Sequence, residues 1–435
     1  MRWLKGVYGV VAGLATAAAG LAVETPPFGA RLDLTAPAHG AAVASADFNR
    51  DGRLDLAAVY PHSDAVWVYL ASPAGGAAVI GPLRAGLGPN ALLAADITGD
   101  GQADLVIGNS ISNTVSLLRG RGDGSFDTAR DIAAALAPSG LASGDFNRDG
   151  VADLAVASRY DDTLLPLLGG RDGSFVAGTV LPVPGGPAGA AAGDLNRDGR
   201  LDLVVSVNVT DSAVFVLLGQ GDGSFDAPRR IAVGAMPTQP LLADLSGDGV
   251  LDIAVAAENG DAITILRGRG DGSFEAEASL PTGAFPAAVA AGDVDHDGEL
   301  DLISADSFAD SVSLLRSLGD GVFAARQPLA TGTMPIGLVA ADIDRSRVVD
   351  LVTVDALSHS LSLLINRTDP GIACVGDCND NHGVAIDELV RSVSIALNLV
   401  SVAACLSADP DADAAVTISE LVAAVGNALN GCPAS

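Results

Sequence analysis

The residues best suited to chemistry are aspartates grouped around a glycine, in a phrase that returns along the chain. It reads "DFNRDGRLDL" from Asp47, "DFNRDGVADL" from Asp145 and "DLNRDGRLDL" from Asp194. Carboxylates this close repel, and a hard divalent cation taking several oxygen ligands offsets that repulsion better than Lys or Arg, each of which brings one charge. The phrase reads as a calcium loop with oxygen ligands at positions 1, 3, 5 and 9 and a glycine free to take positive φ at position 6. The first three ligand sets are Asp47, Asn49, Asp51 and Asp55; Asp96, Thr98, Asp100 and Asp104; and Asp145, Asn147, Asp149 and Asp153. The next three are Asp194, Asn196, Asp198 and Asp202; Asp244, Ser246, Asp248 and Asp252; and Asp293, Asp295, Asp297 and Asp301. A further copy keeps Asp342, Asp344 and Asp350 but has Ser346 and Arg347 at positions 5 and 6, so it is expected to be a weak site. An EF-hand would carry Glu at position 12 between two helices. Here the flanks, "AAVASAD" and "LDLAAVY", are apolar runs of strand length, which predicts a loop within a β-hairpin.

The elements that must position these loops follow from periodicity. The first aspartate recurs at Asp47, Asp96, Asp145, Asp194, Asp244, Asp293 and Asp342, a period of 49 residues broken once by a step of 50. Each copy holds several short strand patterns and no helical stripe, which predicts a repeat architecture of β units. A second landmark, "GDGSF" and its variants, places Phe126, Phe175, Phe225, Phe274 and Phe323 before the next loop. Phe28 stands 19 residues before Asp47, as the others stand before their loops, while the last copy stops after "LSLLINR" with no such strand. The chain begins with the half-repeat that its end lacks. That arrangement predicts a closed ring, an all-β seven-bladed propeller over residues 28–367 whose N-terminal strand completes the last blade.

Residues 1–22 read as a secretory signal peptide: Arg2 and Lys5, then an apolar run too short to span a bilayer, then small residues. The mature product is expected to be secreted, periplasmic or held at the cell surface, with no transmembrane segment. Lys5 is the only lysine, and the formal charge of −29 argues against nucleic acid and anionic partners in general. The phrases "GDFNRDG", "LDLAV" and "VLLGQGDGSF" resemble FG-GAP (VCBS) repeats of the integrin α-subunit propellers and of many secreted bacterial proteins. The resemblance implies four strands per blade, calcium in the hairpin between the first and second strands, and ligand contacts on the opposite face.

After a linker at 368–373, residues 374–432 follow a different grammar. "DCNDNHGVAIDELV" and "DPDADAAVTISELV" place oxygens at Asp377, Asn379 and Asn381 with Glu388, and at Asp409, Asp411 and Asp413 with Glu420. Helical stripes such as Ile386, Leu389, Val390, Val393 and Leu397 follow each loop. The paired loop-helix units resemble a dockerin, which implies a cohesin-like partner. Both loops lack glycine at position 6, so weak calcium sites are expected. The four cysteines of the chain, Cys374, Cys378, Cys405 and Cys432, all fall here and are expected to pair as disulfides. A stapled helical cap without a partner is the alternative.

On the face opposite calcium, Asp64, Asn113, Asp162, Asp211, Asp261, Asp310 and His359 each lie 17 residues after their loop aspartate and read as turn residues. Their variable neighbours Tyr60, His62, Arg159, Tyr160, Asn208, Glu258, Asn259 and Phe308, together with His359, are the candidate ligand contacts. Ring closure should also bring His39, His62 and His359 to one face, as exposed turn residues, with zinc coordination or glycan contact as alternatives. The "RGD" triplets at Arg121 and Arg269 read as an Arg before "GDGSF", and the sequons at Asn208 and Asn366 are expected to stay unmodified. The function expected is binding of a protein or glycan by a calcium-stabilised propeller with a docking module. The rivals are a propeller enzyme acting on polysaccharide or phosphoester, and a structural protein of the cell surface.

Overall fold

The computed structural model describes residues 28–72 and 76–368. The described strands form seven sheets, each an antiparallel meander. Blade 1 is built from Ala42–Ala46, Asp55–Tyr60, Ala65–Ala71 and Ala77–Arg84, and blades 2 to 6 repeat the plan in chain order. In blade 3 the outer edge is split, with Phe175–Ala177 and Leu181–Pro182 both pairing with Thr163–Gly169. The expected signal peptide, the linker beyond Thr368 and the 374–432 module lie outside the described residues.

Each strand position has its own composition. The second strands, such as Asp104–Asn109 and Asp202–Val207, have all six residues buried, with an apolar middle behind the loop aspartate that opens each, because neighbouring blades cover both faces. The first strands are rich in Ala and Gly because they crowd around the central axis. A Cβ added to Gly140 would lie 2.5 Å from Gly189 Cα of the next blade. The fourth strands, such as Arg130–Ala133, are largely exposed. Core clusters form between blades: Phe48 of blade 1 meets Phe126 of blade 2 edge-on with ring centroids 5.5 Å apart, and Phe146 meets Phe225 in the same way.

The ring closes as the sequence predicts. Leu32–Thr35 pairs with Ser360–Leu364 in the register Leu32↔Leu363 to Thr35↔Ser360, giving blade 7 its fourth strand. Phe28 packs on the cluster containing Val294 of blade 6, the same relation that Phe126 has to Phe48. A second tie crosses the seam at the acidic loops, where Arg345 donates to Gly52 O at 2.7 Å and Asp51 O at 3.1 Å.

Candidate functional site

The acidic loops connect first and second strands on one face of the ring. In each, the first aspartate accepts backbone N–H groups from positions 5 and 6; in blade 1 these are Asp51 N to Asp47 Oδ1 at 3.2 Å and Gly52 N to Asp47 Oδ2 at 2.7 Å. The aspartate at position 9 does something sequence reading missed. Asp153 is fully buried, accepts Phe146 N at 2.9 Å with one oxygen and Gly169 N at 2.7 Å with the other, and so ties the loop to the end of the third strand. The same double acceptance recurs in every blade, through to Asp350 with Ile343 N and Asn366 N.

Three features give the loops a cation-binding character. In blades 6 and 7, Asp293, Asp295 and Asp297, and Asp342, Asp344 and Asp350, bring carboxylate oxygens within 4.8 Å of one another. Burial, followed by neighbouring carboxylates and set against backbone N–H donors, pushes Asp301 and Asp350 up to about 6. Thr98 Oγ1, Ser246 Oγ and Asp295 Oδ1, all at position 3, are buried without a protein partner, as is Ser346 Oγ. Clustered hard oxygens, some of them orphaned, fit a hard divalent cation. In blade 7 Arg347 takes the position-6 geometry with φ +68°, so the loop folds like the others despite lacking glycine.

The opposite face carries the turns between second and third strands. The residues 17 after each loop aspartate, Asp64, Asn113, Asp162, Asp211, Asp261, Asp310 and His359, prove to have a defined task in five blades. Asp64, Asn113, Asp162, Asp261 and Asp310 hold the next blade's incoming loop by accepting the N–H of Gly88, Ala137, Gly186, Phe285 and Met334 at 2.8–2.9 Å. In blade 4 Asp211 pairs instead with Arg230, and Ser212 Oγ accepts Met236 N at 3.3 Å. The residues so held have positive φ even where they are bulky: Met236, Phe285 and Met334 lie at +55° to +62°.

Against these loops rest the side chains 15 after each loop aspartate, forming a crown of His62, Ile111, Tyr160, Val209, Asn259, Phe308 and Leu357. The apolar members are exposed, from 55% for Val209 to 74% for Tyr160. Their bases are fixed from below. Phe308 stacks on Phe285 at 4.6 Å, His62 lies 5.7 Å from His39, and Asn259 Nδ2 donates to Met236 Sδ. Val209 fills the space over Gly186, where an added Cβ would fall 2.4 Å from its Cγ2.

Inside the crown a cavity of about 370 Å³ opens at the central axis. The side chains 14 after the loop aspartate line it where they are long and polar: Arg159, Asn208 and Glu258, from three successive blades. Arg159 Nη2 donates to Asn208 Oδ1 at 2.5 Å, and Asn208 Nδ2 to Pro237 O at 3.1 Å. Burial pushes the Glu258 carboxyl up, opposed by the Arg159 guanidinium. Asn90 and Ser139, from the starts of first strands, and Thr238 and Gln239, from the segment leading into Leu241–Ala243, complete the polar lining. Sequence reading missed these four; the variable residues within two places after Pro89, Pro138 and Pro237 were the available signal.

Of the sequence-predicted contacts, the structure thus gathers Arg159, Asn208 and Glu258 in the socket and places His62, Tyr160, Asn259, Phe308 and His359 outside it, exposed at the turns. Tyr60 is a correction. It is fully buried in the seam between blades 7 and 1, its hydroxyl 2.7 Å from Tyr69 Oη, because it ends a second strand and points into the inter-blade core. No group of three metal-ligating side chains among the described residues includes His39, His62 or His359. Asn366 of the second sequon is 1% exposed and donates to Val294 O and Val349 O, out of reach of modification. The arginines of the two RGD triplets pair with Asp127 and Glu275 beside their loops.

A family model for FG-GAP-like repeats matches residues 47–107, 96–156, 145–205 and 244–304, just over half of the chain. The chain belongs to the FG-GAP-like repeat family. No curated protein matches it by sequence. Among solved structures, it is similar to BBS1N in complex with ARL6DN, at 14% identity and TM-score 0.56 over 78% of this chain and 97% of that one. It is similar to a streptogramin B lyase at 13% identity and TM-score 0.55, over 77% and 97% of the two chains. An Agrocybe aegerita lectin that recognises non-reducing terminal N-acetylglucosamine aligns at 18% identity and TM-score 0.51, over 68% and 81%. At these identities the likeness is one of fold. An FG-GAP-like propeller thus presents two differently built faces, one of acidic loops and one of crown and socket.

Proposed function

We propose that this FG-GAP-like protein is a secreted or cell-surface, calcium-stabilised propeller that binds a protein or glycan ligand in the socket opposite its acidic loops. In this reading the 374–432 segment docks or anchors it, through the cohesin-like partner that its dockerin resemblance implies. The observation that carries the reading is the convergence of Arg159, Asn208 and Glu258 from three successive blades on one cavity. Burying the Glu258 carboxylate costs stability, and charged groups held in a cavity at such a cost concentrate where ligands bind. The acidic loops serve as calcium sites that hold the hairpins, since hard oxygens without protein partners occur there in four blades. The two disulfides expected among Cys374, Cys378, Cys405 and Cys432 suit an extracellular location.

The test is a capture screen of glycan and extracellular-protein arrays with the full chain, in calcium and in EGTA. At least one ligand should be captured by the wild type in calcium and lost by Arg159→Ala. Turnover of a captured polysaccharide or phosphoester would favour the enzymatic rival, for which Arg159, Glu258 and Tyr160 are the acid-base and charged groups among the described residues lining the socket and its adjoining hollow.

A further inference from the structure

We infer that the socket's ligand is the end of a neutral oligosaccharide, whose terminal sugar sits among Arg159, Asn208, Glu258 and Thr238 and whose next unit lies over Tyr160. The inference rests on the reading of the socket as the binding site and names its ligand. Three observations carry it. First, the polar lining is made of amides and hydroxyls plus one cation and one anion of opposite sign, so it offers no net charge to select a charged ligand. Planar guanidinium, carboxylate and amide groups present paired donors or acceptors, which match the adjacent hydroxyls of a sugar ring.

Second, two oxygens in the lining are buried and without a protein partner: Thr238 Oγ1, on a residue only 7% exposed, and Asn90 Oδ1. Buried polar atoms are ordinarily satisfied, and a polyhydroxylated ligand supplies donors to both. An apolar ligand would leave them stranded. Third, a second hollow of about 320 Å³ adjoins the socket, sharing Asn90, Ser139 and Arg159 with it and bounded on its outer side by Ile111 and Tyr160. The two hollows form one path from a polar seat to an exposed ring whose apolar face suits the C–H face of a pyranose. A folded partner would rest on the whole crown, whereas this path serves one sector, and the socket's size admits one or two sugar units.

The probes are arrays of neutral malto-, cello-, xylo-, manno- and chito-oligosaccharides beside an extracellular-protein array, followed by calorimetry with the captured sugar as mono-, di- and trisaccharide. Arg159→Ala and Glu258→Gln should each weaken every length by at least roughly tenfold. Tyr160→Ala should weaken the di- and trisaccharide by roughly five- to tenfold and leave the monosaccharide unchanged, the pattern expected when one stacking contact is lost. Thr238→Val keeps the side-chain shape and carries the test if Arg159→Ala proves misfolded by circular dichroism. Failure to bind any oligosaccharide at about 10 mM, or binding indifferent to both Arg159→Ala and Thr238→Val, overturns the glycan inference. Capture of a protein that Arg159→Ala abolishes, with no sugar bound, leaves the socket as the binding site and removes only the glycan. If no ligand of either class depends on these residues, both readings fall.

Discussion

At the scale of single residues, aspartates with the same spacing do unlike work, and variants should separate them. Asp153 accepts N–H groups of Phe146, Asn147 and Gly169 in the buried base of its loop, whereas Asp149 is exposed and accepts Val151 N. Asp153→Ala should therefore cost roughly 2–4 kcal/mol even in EGTA, by stranding buried donors, with the loss of a calcium ligand added in calcium, whereas Asp149→Ala should matter mainly in calcium. Chemical unfolding under both conditions decides it; equal stability of the two variants in EGTA would remove the distinction. Asp306 and Asp355 are a third kind, fully buried at the ends of second strands in blades 6 and 7. Burial pushes both carboxyls up, opposed by hydroxyls of Ser313 and Ser304, the Gly283 N–H and Arg326 at Asp306, and by Ser362, Thr353, Ser360 and Arg31 at Asp355. A carboxyl with a raised folded pKa holds its proton more tightly when folded. Its contribution to stability is greatest below about 3.8 and is lost as pH rises through the folded value. Blade 2 already carries the neutral solution: Asn109 donates to Thr114 Oγ1 at 3.1 Å and Ser116 Oγ at 2.8 Å from the equivalent position. Asp306→Asn and Asp355→Asn should each raise the melting temperature at pH 7.5 by about 2–4 °C, with the gain shrinking toward zero by pH 4. A gain independent of pH would show that packing, not ionisation, sets it.

At the scale of elements, the period of the loop aspartates and the displaced Phe28 make the blades and the closure legible in the sequence. What stayed hidden was relation between blades, because it depends on residues far apart in sequence that meet only in the ring. The turn aspartates read as local Asx chemistry, yet Asp64 reaches the loop that opens blade 2, 24 residues on. Tyr60 read as a surface turn residue because it ends an apolar strand just before a turn; only the packing of blade 7 against blade 1 shows that it points inward. The closing strand is the element whose loss should matter most. Deleting residues 23–35 would leave Ser360–Leu364 as a bare edge and remove Phe28 from the blade 6–7 core. The truncated protein should form dimers or aggregates and melt well below the parent, as light scattering and calorimetry would report. A monomer of unchanged stability would mean that the seam is held chiefly by other contacts, such as the Arg345 tie to Gly52 O.

At the scale of the whole molecule, the two faces answer to different demands. The acidic face repeats nearly the same loop around the ring, while the crown varies from His62 through Ile111, Tyr160 and Phe308 to Leu357 on turns of constant backbone geometry. A constant scaffold with variable tips is what binding specificity requires, and it depends on the hairpins beneath staying rigid. The acidic loops set the terms of that rigidity, since a formal charge of −29 concentrates much of its repulsion there. A site of roughly 0.1 mM affinity in millimolar calcium gains about 1.4 kcal/mol, so several such loops together approach the net stability of a domain. Calcium removal should therefore lower the melting temperature of the whole propeller in one transition, not loosen a single blade, because each loop is clasped to its own third strand and Arg50, Arg197 and Arg345 bridge to the loop of the next blade. Calorimetry in calcium and in EGTA, with sodium chloride raised to screen the carboxylates, tests this. A large calcium shift that persists at high salt is the expected result; identical midpoints would refute the structural role of calcium, and a shift that salt alone reproduces would reduce it to charge screening.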